Sequence, residues 1–333
     1  MSSWWLSADG DDAIRSRVAA VRRDVPAALR LARQLAGALP LSGEPDTLLL
    51  WDALARSASV DLTATRAIEP HLDAASILQQ AGVAVPDGAT FGVYAAEGPA
   101  ARLTAAPVGD HWRLDGTKPW CSLASVVSHA LVTAWVDDDR RGLFLVRLGD
   151  AGVRLVETAW VPSGLSLIRS GSLTLEAVPA LAVGEPQWYL HRPGFAWGGI
   201  GVAAIWYGAA VGIARRVLQA VASRDPDDIA LMHLGACDSA LLAARGVLRQ
   251  AAADVTAHAV PPQQQWPYAV RVRDVCAQTA ETVLRHADHA MGPAPLTSDE
   301  VYARLVDDIR IYLRQHHAER DQLTLGRALL DDR

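Results

Sequence analysis

The chain has 333 residues and a mass of 35.6 kDa, so it is long enough for two domains and a substantial core. Half of the residues are hydrophobic and a fifth are charged, which argues against intrinsic disorder of the whole chain. The formal net charge of −6 argues against nonspecific binding to nucleic acid or to an anionic membrane surface.

Residues 1–88 are predicted to form an N-terminal helical domain. Apolar residues recur there at three- and four-residue spacing, and Asp46 and Asp61 or Thr63 are candidate helix N-caps. A further helix is expected to start near Glu69, where acidic side chains complement the positive end of the helix dipole. No basic segment followed by an apolar stretch stands at the N-terminus, so no secretion signal is predicted and a cytoplasmic protein is expected.

Residues 89–190 are predicted to form a central β-domain. Short apolar runs between residues 91 and 183 are separated by Gly, Pro and the acidic turn 137–139. This pattern predicts a meander or barrel of about seven strands.

Residues 191–333 are predicted to form a C-terminal four-helix bundle, because the helical period returns in four long stretches. Those stretches are 198–223, 228–258, 268–291 and 298–317. The uncharged run 193–214 is long enough to span a bilayer, but its glycines and its amphipathic continuation favour a helix buried in the bundle. Helices, a β-domain and a bundle together predict an α+β fold, with a ligand cleft where the three regions meet.

The run His111–Ser122, HWRLDGTKPWCS, resembles a hairpin that members of the acyl-CoA dehydrogenase superfamily carry ahead of an apolar strand, and the order of the three regions resembles theirs. In these flavoproteins, the residues that match Trp120 and Ser122 contact the isoalloxazine ring of FAD, and Cys121 lies between them. An indole offers the ring a flat apolar wall, and a hydroxyl can bond a flavin heteroatom. The alternative is a surface hairpin with a packed Trp and a capping Ser.

The resemblance implies further FAD contacts. Backbone groups of Tyr94, Ala95 and Ala96 would meet the flavin, and Gly292 lies in a turn like the one near the FAD pyrophosphate. Arg224 matches an arginine that reaches the FAD of a neighbouring subunit, which implies a homodimer or homotetramer. The chain lacks the Gly-Ser-Asp and Phe-Gly segments that the family usually has near these positions.

The family's catalytic Glu is also absent. When Asp308–Ile311 is aligned with the start of the family's terminal motif, His316 stands at the Glu position. Asp308, Tyr312, His316 and Arg320 follow one another at four-residue spacing, so one helix face is expected to carry them. A neutral imidazole can act as a general base. The alternative is a pair of polar histidines, His316 and His317, at a solvated helix end.

No metal site is predicted, because the histidines lack partner carboxylates at the required offsets and the three cysteines form no CxxC pair. The resemblance implies an FAD-dependent oxidoreductase that acts on the CH–CH group of an acyl thioester, on CoA or a carrier protein, with a possible electron-transfer partner. The segment from Glu69 to Asp73 could line its substrate entrance, as the corresponding family helices do. Two alternatives stay open: a related flavin-dependent monooxygenase, and a catalytically inactive binding or scaffold subunit.

Overall fold

Four helices form the first region of the computed structural model, which describes residues 5–6, 12–99, 101–156, 159–192, 194–223 and 227–331. They are α1 (Asp12–Ala20), α2 (Val25–Ala36), α3 (Thr47–Ala58) and α4 (Leu62–Gln80). Asp61 caps α4 as predicted, because its carboxylate accepts the N–H of Ala64 at 2.7 Å. Asp46 occupies the N-cap position of α3 as predicted, but it has a left-handed conformation and its side chain makes no capping hydrogen bond.

Helix α4 also begins well before Glu69, the expected start of this helix. Pro70 lies inside α4 rather than near its start, so Glu69 and Asp73 are mid-helix residues and not partners of the helix dipole. A proline inside a helix cannot donate its backbone hydrogen bond, which leaves the carbonyl of Arg66 without its usual intrahelical partner.

Seven strands follow in the described part of the chain: β1 (Phe91–Tyr94), β2 (Leu103–Val108), β3 (His111–Ser122), β4 (His129–Trp135), β5 (Arg141–Arg147), β6 (Val153–Val156) and β7 (Ser170–Ala182). Strands β4, β5, β7, β3 and β2 pair in that order, and a single pairing of Thr104 with Trp135 returns β2 to β4. The sheet is therefore a closed barrel, with β1 added beside β4 and β6 beside β7. Its interior is packed with aliphatic and aromatic side chains.

The last region is again helical: α5 (Trp188–His191), α6 (Gly194–Ala222), α7 (Asp228–Thr256), α8 (Gln265–Met291), α9 (Ala294–Ser298), α10 (Glu300–Tyr312) and α11 (Glu319–Asp331). Helix α6 packs against α3, α7 and α8. Gly208 permits the approach to α3, because any side chain there would collide with the backbone carbonyl of Ala55. The predicted α+β class, with a helical region, a central sheet and a helical C-terminal region, is confirmed.

Two helices, α6 and α7, are long and apolar enough to cross a membrane by length and composition alone. In α6, 83% of the most apolar window is buried inside the protein, which agrees with the predicted buried bundle helix. The corresponding window of α7 is only 28% buried, so α7 presents an apolar outer face.

A buried carboxylate, that of Asp308 on α10, connects the three regions. One of its oxygens accepts the backbone N–H of Leu165 at 2.6 Å, from the segment before β7. The other accepts the hydroxyl of Thr63 on α4 at 2.7 Å. The helical regions and the β-domain are thus fixed to one another next to the cavity described below.

The end of α10 differs from the prediction of one helix through residue 317. Helix α10 ends at Tyr312, a 3-10 turn covers Leu313–Gln315, and His316 has an extended backbone. The chain turns at Ala318 with φ 45° before α11 starts. His316 and Arg320 therefore do not continue the helix face that carries Asp308 and Tyr312.

Candidate active site

A cavity of about 820 Å³ lies where α4, the β-domain and the C-terminal helices meet, as expected for a ligand cleft. It is lined by residues from all three regions: Arg66, Glu69, Pro70, Asp73, Val93, Tyr94, Ala95, Ala96, Trp120, Ser122, Trp160, Leu165, Ile168, Ser170, Tyr189, Phe195, Ile311, Tyr312, Arg314, Gln315 and His317. One part of this lining carries residues predicted to contact a flavin, and another carries ionisable side chains.

The predicted flavin contacts Tyr94, Ala95, Ala96, Trp120 and Ser122 all line this cavity. The hydroxyl of Tyr94 donates to the carbonyl oxygen of Ser122 at 2.9 Å, which joins the end of β1 to the end of β3. Trp120 is 62% exposed and has a left-handed backbone, φ 60°, where β3 pairs irregularly with β7. A large indole held in this way presents an apolar face that protein atoms leave uncovered.

The loop that carries Ala95 and Ala96 is held by an ion pair behind the cavity wall. Lys118 on β3 is 1% exposed, and its ammonium group donates to Glu97 at 2.6 Å and to Thr133 at 2.8 Å. Burial alone would raise the pKa of Glu97, but the hydrogen bonds from Lys118 and Arg141 hold it below its ordinary value. Glu97 thus stays ionised near neutral pH and anchors the loop to the barrel.

Two other predicted cofactor contacts, Cys121 and Gly292, are not part of this lining. Cys121 is fully buried and packs in the barrel, and burial raises the pKa of its thiol to about 12. Gly292 ends α8 with φ 64° and does not line the cavity. Arg224 lies outside the described residues.

His316, the predicted base, does not line the cavity, although its neighbours Gln315 and His317 do. Its side chain is 10% exposed, with Nε2 3.4 Å from Asp274 and 3.9 Å from Asp321. Its ring meets that of Trp206 edge-on at 5.9 Å. Burial lowers the pKa of His316, and the two carboxylates oppose that shift. This placement follows from the end of α10 at Tyr312, which turns His316 toward α8 and α11.

Helix α4 supplies three ionisable groups of the cavity lining, Arg66, Glu69 and Asp73. Arg66 lies 3.3 Å from Glu69, and its guanidinium stacks 5.6 Å from the ring centroid of Tyr312. Asp73, one turn after Glu69, pairs at 3.1 Å with Arg192, whose side chain is buried. Spacings of three and four residues place these groups on one helix face.

Burial raises the pKa values of Glu69 and Tyr312 above their ordinary values. Burial raises the pKa of Glu69 to about 7, and the nearby Asp73 carboxylate adds to this, although Arg66 opposes it. Burial also raises the pKa of Tyr312, whose side chain is 1% exposed. The Tyr312 hydroxyl interacts with the Glu69 carboxylate, which lowers the pKa of Glu69 and raises that of Tyr312, but the contact is not an aligned hydrogen bond. A carboxyl with a pKa near neutral thus lies beside a buried hydroxyl that can donate to it or to a bound ligand.

The sequence did not indicate roles for Arg66, Tyr312 and Arg192 in this site, and Glu69 is not at a helix start as predicted. The expectation that the segment from Glu69 to Asp73 lines an entrance agrees with the cavity lining. A usable signal was the presence of Arg66, Glu69 and Asp73 at spacings of three and four residues. Pro70 obscured that signal, because a proline usually marks a helix start or break.

No group of three or more His, Cys, Asp or Glu side chains with the geometry of a metal site occurs among the residues that the structure describes. His233 on α7 does approach His286 and His289 on α8, with 2.9 Å between the Nδ1 atoms of His233 and His286. This cluster lies between two bundle helices, and none of its residues lines the cavity.

No protein-family model matches the sequence, and no curated protein shows significant sequence similarity to it. Solved structures do resemble the fold. Dibenzothiophene monooxygenase TdsC from Paenibacillus sp. A11-2 is 18% identical, with 96% of each chain covered and a TM-score of 0.78. KijD3, in complex with FMN and dTDP-3-amino-2,3,6-trideoxy-4-keto-3-methyl-D-glucose, is 18% identical, with 96% of this chain and 90% of KijD3 covered and a TM-score of 0.78.

Glutaryl-CoA dehydrogenase from Mycobacterium smegmatis is 17% identical, with 99% of this chain and 95% of that protein covered and a TM-score of 0.77. TdsC has also been solved with FMN and indole. At this level of identity the similarity establishes the fold, and the chain has the fold of the acyl-CoA dehydrogenase superfamily.

Proposed function

We propose that this chain, which has the acyl-CoA dehydrogenase fold, is a flavin-dependent oxidoreductase that binds its flavin in the 820 Å³ cavity. The observation that carries the proposal is the composition of the cavity lining. The hairpin residues Trp120 and Ser122 and the loop residues after β1 line the same space as Glu69 and Tyr312. One wall therefore suits a flat heteroaromatic ring, and the other offers groups that can bind and deprotonate a substrate.

The residues present fit an isoalloxazine ring. Trp120 offers an uncovered indole face, and the backbone of Tyr94 to Ala96 offers polar groups at the cavity wall. The Ser122 hydroxyl is 2.7 Å from that of Ser170, so one hydroxyl of the pair can bond the ring while the other orients it. FAD is the proposed flavin, on the resemblance of the His111–Ser122 run. FMN, present in solved structures of TdsC and KijD3, is the alternative.

The proposed reaction is the oxidation of the CH–CH group of an acyl thioester carried by CoA or a carrier protein. A bound oxidised flavin supplies a hydride acceptor. The chain supplies an apolar lining for the acyl part, a buried hydroxyl at Tyr312 and a guanidinium at Arg66. Trp160, Leu165, Ile168, Phe195 and Ile311 form the apolar lining.

A flavin-dependent monooxygenase is the second candidate. It is favoured by the absence of the motif's Glu, at whose position the chain has His316, and by the full-length fold similarity to dibenzothiophene monooxygenase. Anaerobic mixing with acyl-CoAs separates the two candidates. Bleaching of the flavin by an acyl-CoA supports the dehydrogenase. A flavin that acyl-CoAs leave oxidised, but that reacts with oxygen once chemically reduced and consumes an added aromatic substrate, supports the monooxygenase.

Replacing Trp120 with alanine is expected to weaken flavin binding by about tenfold or more, because the ring loses its aromatic contact. Tryptophan-fluorescence or absorbance titration with FAD and with FMN measures the dissociation constants. The stability of the variant serves as the control, since a side chain that is 62% exposed contributes little to folding. Equal flavin affinity of the variant and the wild type, or a wild-type protein that binds neither flavin, contradicts the proposal and favours a scaffold role.

We further propose a homodimer or larger homo-oligomer that buries the outer face of α7. Ile229, Leu231, Met232 and Leu242 on that helix are exposed apolar side chains. Replacing Met232 and Leu242 together with glutamate is expected to shift the mass measured by light scattering from oligomer to monomer. Wild-type protein that is monomeric at micromolar concentration, or an unchanged mass of the variant, contradicts this interface.

A further inference from the structure

Glu69 is the cavity carboxylate whose cationic partner, Arg66, is itself part of the cavity lining. Two carboxylates line the cavity, and Asp73 is paired with the buried guanidinium of Arg192 at 3.1 Å. Glu69 contacts Arg66 at 3.3 Å, and 16% of its side chain is exposed. Its position inside α4 fixes its backbone, and the ion pair with Arg66 restrains its carboxylate, which favours precise contact with a bound substrate.

The hydroxyl of Tyr312 lies next to Glu69 at the cavity wall and can donate a hydrogen bond to a ligand there. It is buried, and its contact with the Glu69 carboxylate is not an aligned hydrogen bond. A buried hydroxyl without an aligned partner costs free energy unless a ligand or water bonds it. A carbonyl oxygen of a substrate would accept this hydrogen bond and would bring its neighbouring carbon atoms to Glu69.

The surroundings of Glu69 place its protonation equilibrium near neutral pH. The charged and titratable groups that face it come from α4, α5 and the segment that ends α10: Arg66, Asp73, Tyr189, Tyr312, Arg314 and His317. Burial has the largest effect and raises the pKa of Glu69 to about 7. Proton transfer is most efficient for a group with a pKa near the working pH. Arg314 and His317 are largely exposed, so water screens their charges.

We propose that Glu69, and not His316, is the catalytic base that takes the α-proton of the acyl thioester, an inference that rests on the function proposed above. The Cα–H bond breaks, and its proton forms an O–H bond with the Glu69 carboxylate. The electron pair left on Cα forms the Cα=Cβ double bond as a hydride leaves Cβ for the oxidised flavin. The substrate thus loses two hydrogens and two electrons, one proton stays on Glu69, and Tyr312 donates a hydrogen bond to the thioester carbonyl.

The first measurement observes Glu69 without turnover. The chain has nine glutamates, so the carboxyl carbons of ¹³C-glutamate-labelled holoprotein give a resolvable NMR titration. One resonance is expected to titrate near pH 7, and it should be absent in Glu69→Gln. In the matched control Glu176→Gln, an exposed site on β7 paired with Arg154, that resonance should remain. A spectrum in which every glutamate titrates below pH 6 overturns the inference.

The second measurement follows proton abstraction in the flavin-loaded protein. Butyryl-CoA is used to bleach the flavin anaerobically. Acetyl-CoA, which has α-protons but no β-carbon to oxidise, is used to follow α-proton exchange in D₂O. Both rates are expected to rise through pH 7 and to fall about 10²- to 10⁴-fold in Glu69→Gln. Glu69→Asp should restore part of both rates, and His316→Gln and Glu176→Gln should change neither by more than about threefold.

The outcomes separate this inference from the proposed function. Wild-type rates in Glu69→Gln, or a 10²-fold loss in His316→Gln with flavin still bound, overturn the role of Glu69 and leave the dehydrogenase proposal standing. A wild-type holoprotein that neither bleaches nor exchanges overturns both proposals. Loss of flavin from Glu69→Gln, shown by its absorption spectrum, overturns the role as base, because it assigns Glu69 to cofactor binding.

Discussion

Replacing Asp308 with alanine is expected to lower the free energy of unfolding by about 3 kcal/mol. The substitution removes two hydrogen bonds to a buried carboxylate, each contributing about 1.5 kcal/mol. It also leaves the buried N–H of Leu165 and the hydroxyl of Thr63 without their acceptor. Chemical denaturation followed by circular dichroism measures the change, and Asp308→Asn should lose about half as much because it keeps one acceptor oxygen.

Asp307, the preceding residue, provides a matched control. Its carboxylate is half-exposed and lies 4.0 Å from Arg310, so Asp307→Ala is expected to change stability by less than about 0.5 kcal/mol. Because Asp308 connects α4 to the segment before β7, its loss should also increase hydrogen exchange at both elements. Equal stability of the two alanine variants would show that the junction contributes no net stability.

The second large effect concerns Glu69→Gln and the dependence of stability on pH. The native carboxyl binds its proton more tightly than the unfolded chain does, since its pKa rises from 4.5 to about 7. The stability associated with the protonated form is therefore fully present below pH 4.5 and is lost as the pH rises through 7. The whole shift corresponds to about 3 kcal/mol, as an upper limit for a side chain with residual solvent contact.

Glutamine cannot ionise, so the Glu69→Gln variant does not lose stability as the pH rises through 7. At pH 8, Glu69→Gln is expected to be more stable than the wild type by about 2–3 kcal/mol, and at pH 4 the two should be nearly equal. Thermal unfolding between pH 4 and 9 measures the difference, with Glu176→Gln as the control that should follow the wild type throughout. A difference that is the same at pH 4 and pH 8 would show that Glu69 ionises normally. The Glu69→Gln variant is thus expected to gain stability and to lose proton transfer, because active-site groups often lower the stability of the folded protein.

Much of the fold could be predicted from the sequence, because local patterns and tertiary structure agree there. The short alternating runs became the barrel strands, and the hairpin around Trp120 and Ser122 lies at the cavity, where the resemblance implies the flavin ring. The uncharged run became α6, whose glycines and apolar residues suit a helix surrounded by other helices.

The site was less predictable, because its properties depend on burial and on where helices end. Nothing local to Glu69 shows that it lies at a cavity wall, since that follows from packing of α4 against elements far away in sequence. Pro70 lies inside α4 because the helix starts after the cap at Asp61, nine residues earlier. His316 was expected to follow Tyr312 on one face, but the helix ends at Tyr312 and the backbone turns.

Lys118 is the single lysine of the chain, and it holds Glu97 inside the barrel wall. No lysine amine is therefore exposed on the folded protein, so acylating enzymes, aldehydes and amine-reactive dyes have no accessible lysine side chain to modify. Every other basic side chain except histidine is an arginine, which these reagents leave intact. Modification of Lys118 thus requires the strand β3 and the loop after β1 to separate. Its labelling, distinguished from that of the N-terminal α-amine by peptide mapping, therefore reports opening of the wall that faces the cavity.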